Sequence, residues 1–368
     1  MNIALDISQI VHQGTGVARF TEGLVNVILD HDHTNQWLFF FSSLRQSLDN
    51  ELENKIKKRG HRLVKWKIPP TLLSFFWNDL HKFKILNLKF KINPDWFITS
   101  DWIEPPLSIN KATIVHDLTY LRYPETVNKT ILNNQTLRLN WVKKESKIIF
   151  ADSQTTKTDL LKYLNIESKK IIVNYAGIEI IKTTIEQIQQ TRNKYKLKNP
   201  FILTVGKIEP RKNFHRLIEA FNKLINKNID LIIVGPPGWQ SSNNLTIQPS
   251  NHIRLLGLVD DDELFSLYSA STAFIFPSLW EGFGYPLVEA MSIGTPIACS
   301  KITPFEEIAQ DSAIYFNPTK TEEITTAINK IVNNNHLRKK LIEDGKIRAK
   351  QFSWERYYNT LIKTLSIS

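Results

Sequence analysis

Short runs of β-branched and aromatic residues alternate along this chain with longer stretches whose apolar positions recur every three or four residues. In the first half the apolar runs are 2–6, 37–41, 62–67, 95–99, 112–115, 147–151 and 170–174. In the second half they are 201–205, 230–234, 252–256, 273–276, 296–298 and 313–316. The intervening stretches have helical spacing; Phe214, Leu217, Ile218, Phe221 and Leu224 are one example. Strands alternating with helices predict parallel sheets covered by helices on both faces. Carried over the whole length, the pattern predicts an α/β protein of two doubly wound domains. The boundary falls within 177–200, a polar stretch with Thr183, Thr184, Gln187, Gln189, Gln190 and Asn193 and no strand signal. A helix followed by a linker ending at Asn199-Pro200 is expected there. The last helix starts at Ser353-Trp354-Glu355, with Ser353 as its N-cap. No internal repeat or low-complexity segment interrupts the pattern.

Composition agrees and removes some function classes. A length of 368 residues suits two domains. The hydrophobic fraction of 42% and the charged fraction of 23% exclude disorder and collagen-like repeats. A single cysteine, Cys299, excludes an internal disulfide and cysteine metal clusters, and suits a reducing compartment. No apolar run reaches the ~18–20 residues of a membrane-spanning helix. The N-terminus reads as a first strand and not as a signal peptide, so the expected location is cytoplasmic.

The net charge of +11 points to an acidic partner: nucleic acid, anionic lipid or a phosphorylated substrate. Most of it is local. Residues 51–91 hold eleven basic and three acidic side chains, a net +8, interleaved with Trp66, Phe75, Phe76, Trp77, Phe83 and Phe90. Basic residues with aromatic anchors suit peripheral docking on the anionic inner face of a membrane. The alternative is a solvated helix face with its aromatics in the core. No nucleic-acid-binding motif is present, so nucleic acid is not an expected partner.

Candidate chemistry gathers in three places. The densest is Pro277-Ser278-Leu279-Trp280-Glu281-Gly282-Phe283-Gly284-Tyr285-Pro286-Leu287-Val288-Glu289-Ala290. It follows an apolar strand, and its glycines precede a helix starting near Tyr285-Pro286. In open parallel sheets ligands bind at the carboxyl ends of strands. Amides of Gly282, Phe283 and Gly284 at a helix N-terminus favour an anion or polar ligand oxygens. Glu281 and Glu289, with seven residues between them, can face one crevice; a tight connection with two solvated carboxylates is the plainer alternative. The second place is Lys207, Arg211 and Lys212, three cations in the loop before the helix 213–225, where a diphosphate could sit. The third comprises Gly14-Thr15-Gly16, a glycine turn before the helix 17–29, and His116, which ends an apolar strand. Gly14-Thr15-Gly16 lacks the third glycine of a dinucleotide fingerprint.

Together these segments resemble the retaining glycosyltransferases of family 4, with the GT-B fold. The Glu281–Glu289 segment looks like that family's signature. Val205-Gly206-Lys207-Ile208-Glu209-Pro210-Arg211-Lys212-Asn213, Val234-Gly235-Pro236-Pro237-Gly238, Leu256-Gly257-Leu258-Val259 and Phe352-Ser353-Trp354-Glu355 also match its pattern. So do Gly14-Thr15-Gly16-Val17-Ala18-Arg19 and Val115-His116-Asp117-Leu118-Thr119, so the resemblance spans nearly the whole chain in order. It implies a GT-B architecture of two Rossmann-like domains facing a central cleft. Residues 1–180 would bind the acceptor and 195–350 the nucleotide-sugar donor, with 353–368 a C-terminal helix packing back toward the N-terminal domain.

The resemblance also implies roles. Lys207 and Lys212 would bind the donor diphosphate, with Arg211 beside them. Lys207 departs from the commoner arginine, keeping the charge and losing the bidentate geometry. Gly14, Thr15 and Gly16 would close over a phosphate, and His116 would contact the transferred sugar. Glu281 would bind sugar hydroxyls, Glu289 the ribose, and the Gly257-Leu258 loop the base, with core packing as the alternative for Leu258. Asp117 is expected to be structural or to assist the acceptor.

The implied reaction is transfer with retention and no resident cofactor or metal; the leaving diphosphate takes the acceptor proton. Glu209-Pro210-Arg211-Lys212-Asn213, together with His116-Asp117-Leu118-Thr119-Tyr120-Leu121-Arg122-Tyr123-Pro124-Glu125, looks most like bacterial O-antigen and exopolysaccharide mannosyltransferases. That favours GDP-mannose as donor and a glycan or lipid-linked glycan as acceptor. A UDP-sugar or deoxysugar donor is the alternative. A nucleotide-sugar 2-epimerase and a non-catalytic binding protein are the readings from other classes.

Overall fold

The computed structural model describes residues 1–12, 14–82, 94–224, 228–238 and 252–368. The chain divides into two units: Met1–Gly177 with Ser353–Ser368, and Ile178–Phe352. Each is built around one sheet. In the first unit β1 (Asn2–Asp6), β2 (Gln36–Ser42), β3 (Arg62–Trp66), β4 (Trp96–Ser100), β5 (Asn110–Val115), β6 (Ile148–Ala151) and β7 (Ile171–Val173) lie in the order 3-2-1-4-5-6-7. In the second, β8 (Phe201–Val205), β9 (Asp230–Val234), β10 (Ile253–Gly257), β11 (Ala273–Phe276), β12 (Ile297–Ser300) and β13 (Ala313–Phe316) lie in the order 10-9-8-11-12-13. Every neighbouring pair is parallel. Both sheets are doubly wound, and the strand order reverses between β1 and β4 and again between β8 and β11. Ligands of such sheets bind outside the carboxyl ends of the strands at that reversal.

A parallel sheet covered on both faces asks for strands that are apolar throughout. Trp37, Leu38, Phe39, Phe40 and Phe41 of β2 are all buried, as are all residues of β8 and β11. Helices begin where a short polar side chain satisfies a free amide. Ser153 accepts from the Thr156 amide and Ser353 from the Arg356 amide. In the second unit Phe214, Leu217 and Phe221 of the helix Phe214–Asn222 pack with Ile324 and Ile328 of the helix Thr321–Asn333. Full burial of one such side chain is worth about 1.5–3 kcal/mol.

The polar boundary stretch holds the helix expected of it. It forms the helix Ile185–Lys194, started by a Thr184–Gln187 capping box, and belongs to the second unit. Tyr195 Oη donates to Glu263 Oε2 at 2.8 Å, and the Thr183 and Ser269 hydroxyls bond at 2.9 Å. The C-terminal helix Trp354–Ile367 counts with the first unit. Trp354 and Tyr357 each meet the Phe20 ring edge-on at 5.3 Å, and Asn174 Nδ2 donates to the Tyr357 carbonyl at 3.1 Å.

The basic stretch is less uniform than its composition. Lys55 and Arg59 pair with Asp30, and Lys57 and Lys65 pair with Glu53. Trp66 and Trp77, for which the sequence left a surface anchor and a core position open, are buried around Phe40. They complete the apolar layer over the first sheet. Leu72, Phe75 and Leu80 are exposed beside them. Phe83, Lys84, Lys89, Phe90 and Lys91 lie outside the described residues.

Candidate active site

β8 ends at Val205, and the chain turns through Gly206 and Lys207 into the 3-10 turn Pro210–Lys212. β11 ends at Phe276, and the chain runs through 277–284 into the helix Tyr285–Ile293. The two strands pair at the reversal of strand order, so their loops lie side by side although about 70 residues apart in sequence. The Leu279 amide donates to the Arg211 carbonyl at 2.8 Å, and Arg211 Nη1 donates to the Trp280 carbonyl at 2.6 Å. Asn213, in the left-handed region at φ +59°, donates from Nδ2 to the carbonyls of Pro277 at 3.0 Å and Pro318 at 2.8 Å.

On this frame Glu281 lies between two cations. Its Oε1 is 2.6 Å from Lys212 Nζ and its Oε2 is 2.7 Å from Arg211 Nη1. Arg211 Nη2 reaches Glu209 Oε1 at 2.7 Å. Lys212, 9% exposed, stands over the Phe276 ring at 5.3 Å. Burial pushes the Glu281 carboxyl up, but the Arg211 and Lys212 charges and hydrogen bonds win and hold it down at about 2.

The structure thus brings Arg211, Lys212 and Glu281 together, but not as a bare cationic loop. Arg211 is clamped between two carboxylates, so the four side chains balance in charge. Lys207 is exposed, with no hydrogen bond or ion pair among the described residues. The ends of β8, β9 and β10 approach closely here. A Cβ on Gly235 would lie 2.0 Å from the Gly206 carbonyl oxygen.

Gly284 caps the helix Tyr285–Ile293 at φ +95°, a conformation that favours glycine. Gly282 and Phe283 are buried, and the Phe283 side chain packs edge-on to Tyr285 and Phe352, so only its backbone serves the loop. Glu289 is buried on the first turns of this helix, where its Oε2 accepts from the Tyr268 hydroxyl at 3.0 Å. The two glutamates therefore have different partners. Leu258 is 60% exposed at the end of β10, which rules out core packing for it.

In the first unit Gly14, Thr15 and Gly16 are exposed between β1 and the helix Gly16–His31. Thr15 Oγ1 caps that helix, accepting from the Ala18 amide at 3.2 Å and donating to the His12 carbonyl at 2.7 Å. His116 follows β5. Its Nδ1 is 2.6 Å from Asp152 Oδ2, its Nε2 is 3.3 Å from Ser100 Oγ, and the Phe20 ring meets it edge-on at 4.7 Å. Burial disfavours charge on this imidazole. The Asp152 charge and hydrogen bond outweigh burial and raise its pKa above the ordinary histidine value. Asp117 turns to local work, accepting from the Thr119 amide at 2.8 Å.

Reading the sequence missed Glu209, Tyr268 and Asp152. Tyr268 carries no local signal, because its partner Glu289 is 21 residues away, whereas Glu209 stands two residues from its partner Arg211 and that spacing was a local signal. Asp152 had one: a carboxylate directly after the apolar run 148–151 and directly before a helix-capping serine. Among the described residues no helix is long and apolar enough to cross a membrane. Nor, among them, do three His, Cys, Asp or Glu side chains come together as a metal site.

Two Rossmann-like units with ligand loops at their strand-order reversals are the hallmark of GT-B glycosyltransferases. HepE from Anabaena, solved in complex with UDP and glucose, superposes with a TM-score of 0.73 at 17% identity over 100% of both chains, a likeness in fold. Residues 186–348 match the family model of the glycosyl transferases group 1. The chain is 25% identical to Escherichia coli O-antigen chain mannosyltransferase B over 96% of its own length and 97% of that protein's. It is 30% identical to Salmonella typhimurium O-antigen chain mannosyltransferase RfbU over 61% of its own length and 62% of that protein's. Residues 186–348 thus carry a glycosyl transferases group 1 domain, and the chain as a whole is similar to O-antigen mannosyltransferases.

Proposed function

We propose that this glycosyltransferase moves mannose from GDP-mannose, with retention of anomeric configuration, onto a glycan or lipid-linked glycan in cell-surface polysaccharide assembly. The observation that carries the reading is the buried Glu281–Lys212–Arg211 cluster at the strand-order reversal of the second sheet. Its lysine can neutralise a diphosphate while its carboxylate accepts from sugar hydroxyls. Support for mannose comes from the two O-antigen mannosyltransferase relatives.

In this reading the second unit binds the donor. Lys212 and Lys207 meet the diphosphate, the amides at 282–284 add hydrogen bonds, and Glu289 accepts from the ribose hydroxyls. Arg211 holds Glu281 in place. The Leu258 loop lies against the base. The first unit binds the acceptor and carries the Gly14-Thr15-Gly16 turn and His116. The acceptor hydroxyl oxygen bonds to the anomeric carbon on the face that the diphosphate leaves. The carbon–oxygen bond to the diphosphate breaks, and the acceptor proton passes to that diphosphate. The protein's share is positioning and charge stabilisation, with no metal or resident cofactor required.

A UDP-sugar donor is the second reading, because a protein of the same fold was solved with UDP and glucose. Thermal shift with GDP-mannose, UDP-glucose and dTDP-deoxysugars, followed by product analysis, decides between them. Stabilisation by GDP-mannose above the others supports the first reading; selective stabilisation by a UDP-sugar replaces it. Conversion of donor without acceptor indicates an epimerase, and binding without turnover a non-catalytic protein.

The basic stretch of the first unit serves, in this reading, as a peripheral contact with anionic lipid on the cytoplasmic face of the membrane. Exposed Leu72, Phe75 and Leu80 and the lysines around them support it.

A further inference from the structure

We infer that Asp152 is the positioning residue of His116: its carboxylate accepts a hydrogen bond from Nδ1–H and so reserves Nε2 for the substrate. This rests on the role proposed above for His116 and adds a residue that role did not include. The geometry follows from strand register. Val115 of β5 pairs with Ala151 of β6, so the next residue on each strand, His116 and Asp152, stand abreast on one face. Thr156, in the first turn after Asp152, donates from Oγ1 to the His116 carbonyl at 3.1 Å and ties the two strand ends together. The result is the 2.6 Å contact between Asp152 Oδ2 and His116 Nδ1.

The carboxylate is badly suited to a merely structural post. It is 2% exposed, and its Oδ1 has no hydrogen-bond partner among the described residues. Buried carboxylates that serve stability have both oxygens satisfied, and leaving one bare costs free energy. A group kept at such a cost, with its hydrogen bond given to one imidazole, points to function.

With Nδ1–H donated to Asp152, the other ring nitrogen is left for substrate, facing Ser100 Oγ at 3.3 Å. When that nitrogen also carries a proton, the ring donates from Nε2 to a hydroxyl of the transferred sugar. Other groups bear on the ring charge. Asp101, after β4, favours it and Arg138, from the helix Lys129–Glu145, opposes it; Asp117 acts on Asp152. The buried Tyr357 phenol of the C-terminal helix also faces Asp152, and Ser100 and Phe20 add neutral contacts. Loss of the Nε2 proton ends the donation, so turnover falls on the alkaline side. Removing the Asp152 charge moves that fall to lower pH, because the imidazolium loses its nearest counter-charge.

The test uses the full chain with GDP-mannose and acceptor, in wild type, Asp152→Asn and His116→Gln. In Asp152→Asn the alkaline fall in kcat moves by about one pH unit or more to lower pH, since a close carboxylate shifts a neighbour by about 1–3 units. kcat drops about 10- to 100-fold, by analogy with carboxylates that orient metal-ligating histidines. Donor KM stays within about twofold, and the thermal midpoint is unchanged or raised. Nitrogen-15 NMR of the wild-type chain finds His116 protonated at Nδ1. An unprotonated Nδ1 in wild type overturns the inference. So does a wild-type pH profile and kcat in Asp152→Asn while His116→Gln is inactive. Wild-type turnover in His116→Gln is a different failure: it removes the role of His116 itself.

Discussion

Replacing Glu281 by glutamine removes one negative charge and almost no volume, and it tests how the cluster is held. Among the described residues Glu281 pairs with both Lys212 and Arg211, and Glu209 pairs with Arg211 as well. Its carboxyl lies at about 2 in the folded protein, against 4.5 ordinarily. At about 1.4 kcal/mol per pH unit, the difference corresponds to about 3 kcal/mol of folding stability at neutral pH. The sign follows from the depressed value. The contribution is complete above pH 4.5, fades as pH falls through the interval from 4.5 to about 2, and is gone below it. Urea unfolding of the Glu281→Gln variant at pH 7 therefore shows a loss approaching 3 kcal/mol, and the gap to wild type closes as the pH is lowered through that interval. The same variant frees Lys212, so nucleoside diphosphate binds as tightly as in wild type or tighter, while turnover drops with the lost sugar contact. A stability gap that stays constant from pH 7 to pH 3 would refute the ion-pair account. Nucleotide binding weakened in parallel with turnover would refute the division of labour between Glu281 and Lys212.

Other outcomes follow from the same geometry. Lys212→Ala lowers kcat by about 100-fold or more, the range for removing one preorganised charge-stabilising donor, and near-normal turnover contradicts the diphosphate role. Glu289→Ala weakens nucleotide binding by about 10- to 100-fold in calorimetry, the worth of a charge-assisted hydrogen bond, and unchanged affinity argues against ribose contact. Activity persists in excess EDTA; loss that magnesium restores contradicts the metal-free reading. In liposome flotation the chain rises with vesicles containing anionic lipid and not with neutral ones, and equal behaviour in both removes the membrane contact.

Much of the fold was legible because parallel, fully covered sheets write themselves as unbroken apolar runs. β2, β8 and β11 are readable for that reason, within a residue or two at their ends. The strand order was not legible, since pairing of β1 with β4 and of β8 with β11 is a tertiary fact. The helix expected in the boundary stretch is present, but what holds it in place was not legible. The helix is polar on most of its surface and held by a capping box and side-chain bonds to Glu263 and Ser269, which hydrophobic periodicity does not report. For Trp66 and Trp77 the sequence left a surface anchor and a core position open, and each side chain turns into the layer around Phe40.

For the site, residue types at strand ends were readable and their partners were not. Arg211 and Lys212 read as free cations because Glu281 lies about 70 residues away. His116 read as a lone histidine because Asp152 is reached only through the register of β5 and β6.

The account stands most directly on what the protein does to the anomeric carbon. Proton NMR of the product formed from GDP-mannose and a mannan-type acceptor reads the new linkage as it appears. The account predicts an α-mannosyl product, matching the donor configuration, with GDP released in equal amount and only when acceptor is present. A β-linked product, or GDP-mannose consumed at the same rate without acceptor, would contradict it.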